Sequence, residues 1–204
     1  MQEQEVIRTL QNQLNYTAKN ISDIKIFINE LLKANKKHNF ISKSTEQLIW
    51  HRHILDSAQL VKFIDFSKSS LSDLGSGAGF PGLILALFNK NKNFHVKLYE
   101  KSPVKRAFLK DMRDILSLKI EIQGNVYENF IYTDYIVSRA FKKLEAIIQV
   151  SREIAQKPHK LIILKGQNAQ EELKKAFIKE KYDYKFENSI TNKDSKIIIV
   201  NFKK

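Results

Sequence analysis

The residues best placed to do chemistry in this chain are glycines and acids. Four of its six glycines, Gly75, Gly77, Gly79 and Gly82, fall within one eight-residue window, where a backbone without side chains can pass close to a ligand. Asp73 stands two residues before the first of them and Glu100 stands 25 after it. A glycine loop opening a helix suits phosphate when it stands alone. With an acid on each side it suits a ligand that carries a positive group and a diol. A carboxylate near the loop favours an ammonium, and a second at the end of the following strand accepts hydrogen bonds from both hydroxyls of a ribose.

S-adenosylmethionine has both features and no phosphate. The loop residues Gly75, Ser76 and Gly77, with Asp73 and Glu100, are therefore the candidate cofactor contacts, and Phe80 is expected as an exposed apolar wall of the pocket. Phe80 also occupies the third glycine position of G-x-G-x-x-G, so the nicotinamide dinucleotide version is not met, and no Gly-Lys-Ser/Thr follows to make a P-loop. The competing structural reading is a tight turn with two solvated strand ends.

Three further groups invite a chemical reading. Ser138, Arg139, Ala140 and Phe141 follow a predicted strand, where Arg139 offers a planar fork to a phosphate or a cofactor carboxylate, or else makes a salt bridge. Lys165 and Gly166 end the next strand, the glycine suggesting close approach of a ligand, the lysine a substrate contact or a solvated end. His51, His53 and Asp56 tempt toward a metal, but the histidines lack the i, i+4 spacing of a helical zinc site, and the chain has no cysteine, so no metal is expected. His53 and Asp56, three apart, are expected to hydrogen-bond to each other or to a neighbouring loop.

The elements that position these residues read as an α/β chain. Its 204 residues suit one domain with an appendage, and 43% apolar with 28% charged residues suits a folded core. Residues 1–66 read as a helical extension. One amphipathic helix is expected over 22–37, with Ser22 or Asp23 as cap, and another over 44–61, where Ser44 caps and Leu48, Ile49, Leu55 and Ala58 share a face. From 67 to 204, short apolar runs alternate with amphipathic stretches. Strands are predicted at 71–74, 94–99, 119–122, 135–137, 161–164, 182–186 and 197–202. Pro81 is expected to begin the helix after the loop. After it Ser102 caps a helix whose first turn holds Pro103, with Val104, Phe108 and Ile115 on one face and Arg106, Lys110 and Arg113 on the other. The last two strands are too close in sequence for a crossover helix and must be antiparallel neighbours. The fold class is thus Rossmann-like: a mostly parallel seven-stranded sheet closed by an antiparallel hairpin.

The abnormal quantity is charge, formally +13, which attracts polyanions, nucleic acid first among them. The excess is +2 over residues 1–66, +4 over 67–130 and +7 over 131–204. The start is neither basic nor apolar, and no run approaches a membrane span, so a cytoplasmic protein without membrane contact is expected.

Taken together, the stretch from Asp73 to Gly82, the run from Ser138 to Phe141 and Leu164 to Gly166, preceded by Asn39 to Ser42 and Arg52 to Ser57, resemble the bacterial small-subunit ribosomal RNA guanine-N7 methyltransferase family, also called glucose-inhibited division protein B. The resemblance implies methyl transfer from S-adenosylmethionine to guanine 527 of 16S rRNA, with free rRNA or the small ribosomal subunit as partner, a monomer, and no evident protein partner. It places cofactor contacts at Gly75, Phe80, Val126, Tyr127 and Arg139. Relatives often carry an acid where Tyr127 stands and Asn-Leu-Thr-Ala where this chain has residues 39–42. Guanine N7 carries no proton, so no general base is required. Arg139 and Lys165 are then candidates for positioning substrate, and Lys165, Arg106, Lys110 and Arg113 for contacting RNA. The alternatives are a methyltransferase acting on another RNA, a protein or a small molecule, and an RNA-binding module with a relic cofactor fold.

Overall fold

A computed structural model describes residues 2–68, 70–128, 130–139, 141–176 and 183–203. Helices α1 (Glu3–Leu14) and α2 (Ala18–Asn35) lead into an irregular helical segment comprising α3 (Lys43–Glu46), a π-helical turn (Trp50–Leu55), α4 (Asp56–Ala58) and a 3-10 turn (Gln59–Phe63). There follow β1 (Ser70–Leu74), α5 (Gly82–Phe88), β2 (His95–Tyr99), α6 (Pro103–Ile115), β3 (Ile120–Gln123), β4 (Tyr135–Arg139), α7 (Leu144–Ile154), β5 (His159–Lys165), α8 (Ala169–Ala176), β6 (Asp183–Asn188) and β7 (Lys196–Phe202). All seven strands join one sheet in the order β3-β2-β1-β4-β5-β7-β6. Pairing is parallel from β3 to β5 and antiparallel at β5–β7 and β7–β6. Tyr182, the expected start of β6, lies outside the described residues.

Two-residue periodicity divides the core between the faces of the sheet. Ile162, Leu164, Ile197 and Ile199 pack with Leu83, Phe108 and the buried faces of α1 and α2, whereas Leu161, Ile163, Ile198 and Val200 pack with Leu144, Ile147 and Ile148 of α7. The amino-terminal helices thus share one core with the sheet. Tyr16 donates through its hydroxyl to the carbonyl of Ile84 (3.3 Å), and Asn20 donates through Nδ2 to that of Leu87 (2.6 Å). The outer strand β6 carries Asp183, Lys185 and Glu187, charges that discourage edge pairing.

Local structure departs from expectation where tertiary contacts intervene. Helix α2 begins at Ala18 because Thr17 and Asn20 form a reciprocal capping box, leaving Ser22 and Asp23 inside the helix. The segment expected as one helix over 44–61 is preceded by Ser42, breaks after Glu46, and leaves Leu48 exposed while Ile49, Leu55 and Ala58 are buried. Pro81 precedes the first residue of α5 rather than opening it. In α6, Ser102 does cap, but the buried face is Phe108, Leu109 and Met112, with Val104 and Ile115 exposed.

Candidate active site

In a doubly wound sheet, ligands bind at the carboxyl ends of the strands where strand order reverses. Here that point lies between β1 and β4, and a cavity of about 700 Å3 opens there, walled by Gly75, Phe80, Glu100, Val126, Arg139 and Phe141 among others. The loop after β1 is held from below: the N–H groups of Gly75 and Ser76 both donate to the carbonyl of Tyr99 (2.9 and 3.0 Å). Ser138 donates through its hydroxyl to the carbonyl of Leu74 (3.0 Å), tying β4 to the start of the loop.

Two glycines are obligatory for different reasons. Gly75 has φ +74°, and a Cβ there would lie 2.4 Å from Phe141 Cδ2. Gly82 lets the helix start approach Asp73, whose Cβ and Oδ2 would each be 2.7 Å from an added Cβ. Gly166, expected to admit a ligand, has nothing within 4 Å of an added Cβ and no left-handed φ. It needs no glycine on steric grounds.

The two acids differ in role. Glu100 lines the cavity, its Oε2 accepting from Gly77 N–H and its Oε1 from Ser102 N–H, both at 2.8 Å. Asp73 is fully buried behind the loop and is absent from the cavity wall. Its Oδ2 accepts from Gly82 N–H (2.9 Å) and its Oδ1 has no hydrogen-bond partner among the described residues. Burial pushes its carboxyl up to about 7, partly offset by the Gly82 N–H. Asp73 therefore holds the loop against α5 rather than reaching into the cavity.

Arg139 is the most constrained cation of the site. Nη1 donates to the carbonyl of Arg52 (3.0 Å), Nη2 to Nδ1 of His53 (2.7 Å), and Asp56 Oδ2 stands 3.6 Å from Nη1. Its Cζ lies 4.8 Å from the centre of the Phe80 ring, on which His53 also stacks at 5.0 Å. A guanidinium only donates, so Nδ1 of His53 is the acceptor and Nε2 donates to the Thr45 hydroxyl (2.9 Å). Burial, reinforced by the Arg139 charge, holds His53 down at about 3. His53 and Asp56 are thus joined through Arg139 instead of bonding to each other. Phe80, expected to be exposed, is buried at 3% because Phe27 and His53 pack against it.

A family model described as rRNA small subunit methyltransferase G matches residues 20–199. The chain belongs to this family. Ribosomal RNA small subunit methyltransferase G of Pelagibacter ubique is 36% identical over 201 residues, covering 96% of this chain and 93% of the relative. The proteins of the same name from Orientia tsutsugamushi (34%, covering 96% and 97%) and Rickettsia typhi (37%, covering 89% and 93%) are similar throughout as well. Among solved structures, M. jannaschii TYW2 in complex with AdoMet matches with TM-score 0.53 at 17% identity over 73% of this chain and 74% of that one. A putative S-adenosyl-L-methionine-dependent methyltransferase from Methanococcus maripaludis gives TM-score 0.54 at 17%, covering 78% and 89%. At such identity the likeness is one of fold.

In this member of the methyltransferase G family, the cavity gathers Gly75, Ser76, Gly77, Phe80, Glu100, Val126, Tyr127 and Arg139. Tyr127 is half exposed, with Lys142 Nζ 4.7 Å above its ring. Lys165 does not line this cavity but a neighbouring one, with Arg52, Asp56 and Arg139. Its Nζ donates to the carbonyl of Lys142 (2.7 Å) and to Glu172 Oε2 (2.8 Å), and the same Glu172 oxygen accepts from Leu144 N–H (2.7 Å). The pair braces the turn that presents Phe141 and Lys142. Of the three α6 cations expected to face RNA, Arg106 is spent on the carbonyls of Glu100 and Lys101 (2.9 and 2.7 Å) and Arg113 on Asp114. Lys110 is exposed but does not line the cavity. The cations that do, besides Arg139, are Lys101, Lys105 and Lys142.

Sequence reasoning missed Asn35, whose Oδ1 accepts from the N–H groups of Phe40 and Ile41 (2.8 and 3.0 Å) and so pins two wall residues. Its signal was a polar residue on the buried face at the end of an amphipathic helix. Thr45 carried no such signal, since its role depends on His53 and Ser42 in the folded chain.

Proposed function

We propose that this protein transfers a methyl group from S-adenosylmethionine to N7 of a guanine in 16S rRNA, guanine 527 by its family resemblance, in the bacterial cytoplasm. The observation that carries this reading is the glycine-loop cavity with Glu100 on its wall, in a chain of this family. The cofactor fits the residues present. The loop leaves its backbone bare at φ +74°, +57° and +106° for Gly75, Gly77 and Gly79, and each Glu100 oxygen, bonded to one N–H, retains acceptor capacity for a diol. A carboxylate in that position opposes a phosphate-rich ligand.

When bound, S-adenosylmethionine supplies a sulfonium methyl for in-line displacement. The loop from Gly75 to Gly77, Glu100, and the wall formed by Val126 and Tyr127 would hold it, with Phe80 and Phe141 excluding water. Arg139 frames the cavity. N7 offers a lone pair and no proton, so the chain needs to orient the base and not to deprotonate it. His53 has both ring nitrogens engaged and is held neutral, and the Lys165 ammonium is engaged with Glu172 and the Lys142 carbonyl. Alignment of two reactants can lower a barrier by about 7–11 kcal/mol. Lys101, Lys105 and Lys142 at the mouth serve the RNA backbone, and their contribution declines with salt.

The test combines calorimetric titration of S-adenosylmethionine with mass spectrometry of 16S rRNA nucleosides from strains with and without the gene. Cofactor binding and a 7-methylguanosine that disappears on deletion are expected. Cofactor binding with unchanged rRNA would redirect the assignment to another acceptor, and absence of cofactor binding would overturn it.

A further inference from the structure

Thr45, His53 and Arg139 line, besides the cofactor cavity, a second and adjoining one of about 310 Å3, whose other walls include Arg52, Asp56, Lys165 and Thr191. It is lined almost wholly by polar side chains, Leu164 being the exception apart from Gly166. Within it Asp56 is oriented from one side. Its Oδ1 accepts from the Thr191 hydroxyl (2.8 Å) and from Gln59 Nε2 (3.0 Å), while Oδ2 stands 3.6 Å from Arg139 Nη1, beyond hydrogen-bond length. One carboxylate oxygen is anchored and the other keeps acceptor capacity.

A carboxylate held this way selects among nucleobases. Guanine presents two adjacent donors, N1–H and the N2 amino group, whereas adenine, cytosine and uracil each place an acceptor beside their Watson–Crick donor. We propose that this second cavity receives the target guanine and that Asp56 reads its N1–H and N2 amino edge. The proposal rests on the methyl-transfer reading above. A guanine held by that edge leaves its imidazole end, with N7, unengaged by the protein. Arg52 on the same wall suits the carbonyl O6.

Base analogues test the proposal. Small ribosomal subunits reconstituted with guanine or inosine at the target, inosine lacking only the 2-amino group, are methylated by the full-length protein and its variants. The wild type is expected to favour guanine by ten-fold or more, since a buried polar group left unpaired is costly. Asp56→Asn should lose that preference to within about three-fold while its calorimetric affinity for S-adenosylmethionine stays within about three-fold. Thr191→Val, which removes an anchor and not the reader, should keep it. Equal methylation of guanine and inosine by the wild type, or a preference that survives in Asp56→Asn, overturns the proposal. If guanine-containing subunits accept no methyl group from the wild type, the functional reading fails instead.

Discussion

Replacing Gly75 with alanine perturbs the cofactor cavity through one methyl group. Two costs are legible in the geometry. The residue sits at φ +74°, where an L side chain loses about 1–2 kcal/mol. The new Cβ would also lie 2.4, 3.1 and 3.3 Å from three atoms of the Phe141 side chain. Phe141 cannot simply swing away, because the turn after it is tied down through the Lys142 carbonyl and the Leu144 N–H. Relief of such overpacking costs about 1–3 kcal/mol, for a total of about 2–5 kcal/mol. In a domain of this size that lowers Tm by roughly 4 to 20 °C. Displacing Phe141 also opens one wall of the cavity, so cofactor affinity should fall at least ten-fold in the protein that remains folded. Gly166→Ala is the control: with nothing near its added carbon, it should leave affinity unchanged and stabilise by about 0.4–1 kcal/mol through the unfolded chain. Thermal melts and calorimetry on both variants decide. A Gly75→Ala protein with wild-type Tm and affinity would refute the account of the loop.

Further outcomes follow from the same contacts. Asp73, about 7 in the folded chain against 3.8 as its ordinary value, binds more protons folded than unfolded between those limits. Stability should therefore be fully present below about pH 4 with respect to this group and decline as pH rises to 7; Asp73→Asn should flatten that slope in urea titrations. His53, lowered from 6.5 to about 3, works in the opposite direction: its contribution is lost as pH falls from about 6.5 toward 3, and its imidazole resonances should show no titration between pH 5 and 8. A pKa near 6.5 there would dissolve the neutral His53–Arg139 contact. Glu172→Gln weakens the brace on the turn after Phe141, so cofactor affinity should fall a few-fold in calorimetry; an affinity as tight as wild type would show that the turn holds itself.

The linear order of residues determined a good deal of this protein. Runs such as Leu161 to Leu164 and Ile197 to Val200 alternate between two cores with a period of two residues, which is local and therefore readable. The glycine cluster between a strand and a helix announced a ligand loop by the same logic, and Glu100 was legible because strand spacing places it beside that loop. What the sequence left undecided depended on partners far apart in the chain. Phe80 is buried because Phe27 and His53, remote in sequence, close over it. Asp73 and Glu100 look equivalent on paper, yet only packing sends one carboxylate behind the loop and the other to its face. Lys165 ends a strand at the wall of the second cavity, and only the fold shows that Glu172 and the Lys142 carbonyl engage its ammonium as a brace. The cluster of Arg139, His53 and Asp56 spans more than eighty residues. Short-range patterns fix elements because backbone geometry repeats over a few residues, whereas the fate of a charge is set by which groups the folded chain brings within about 4 Å of it.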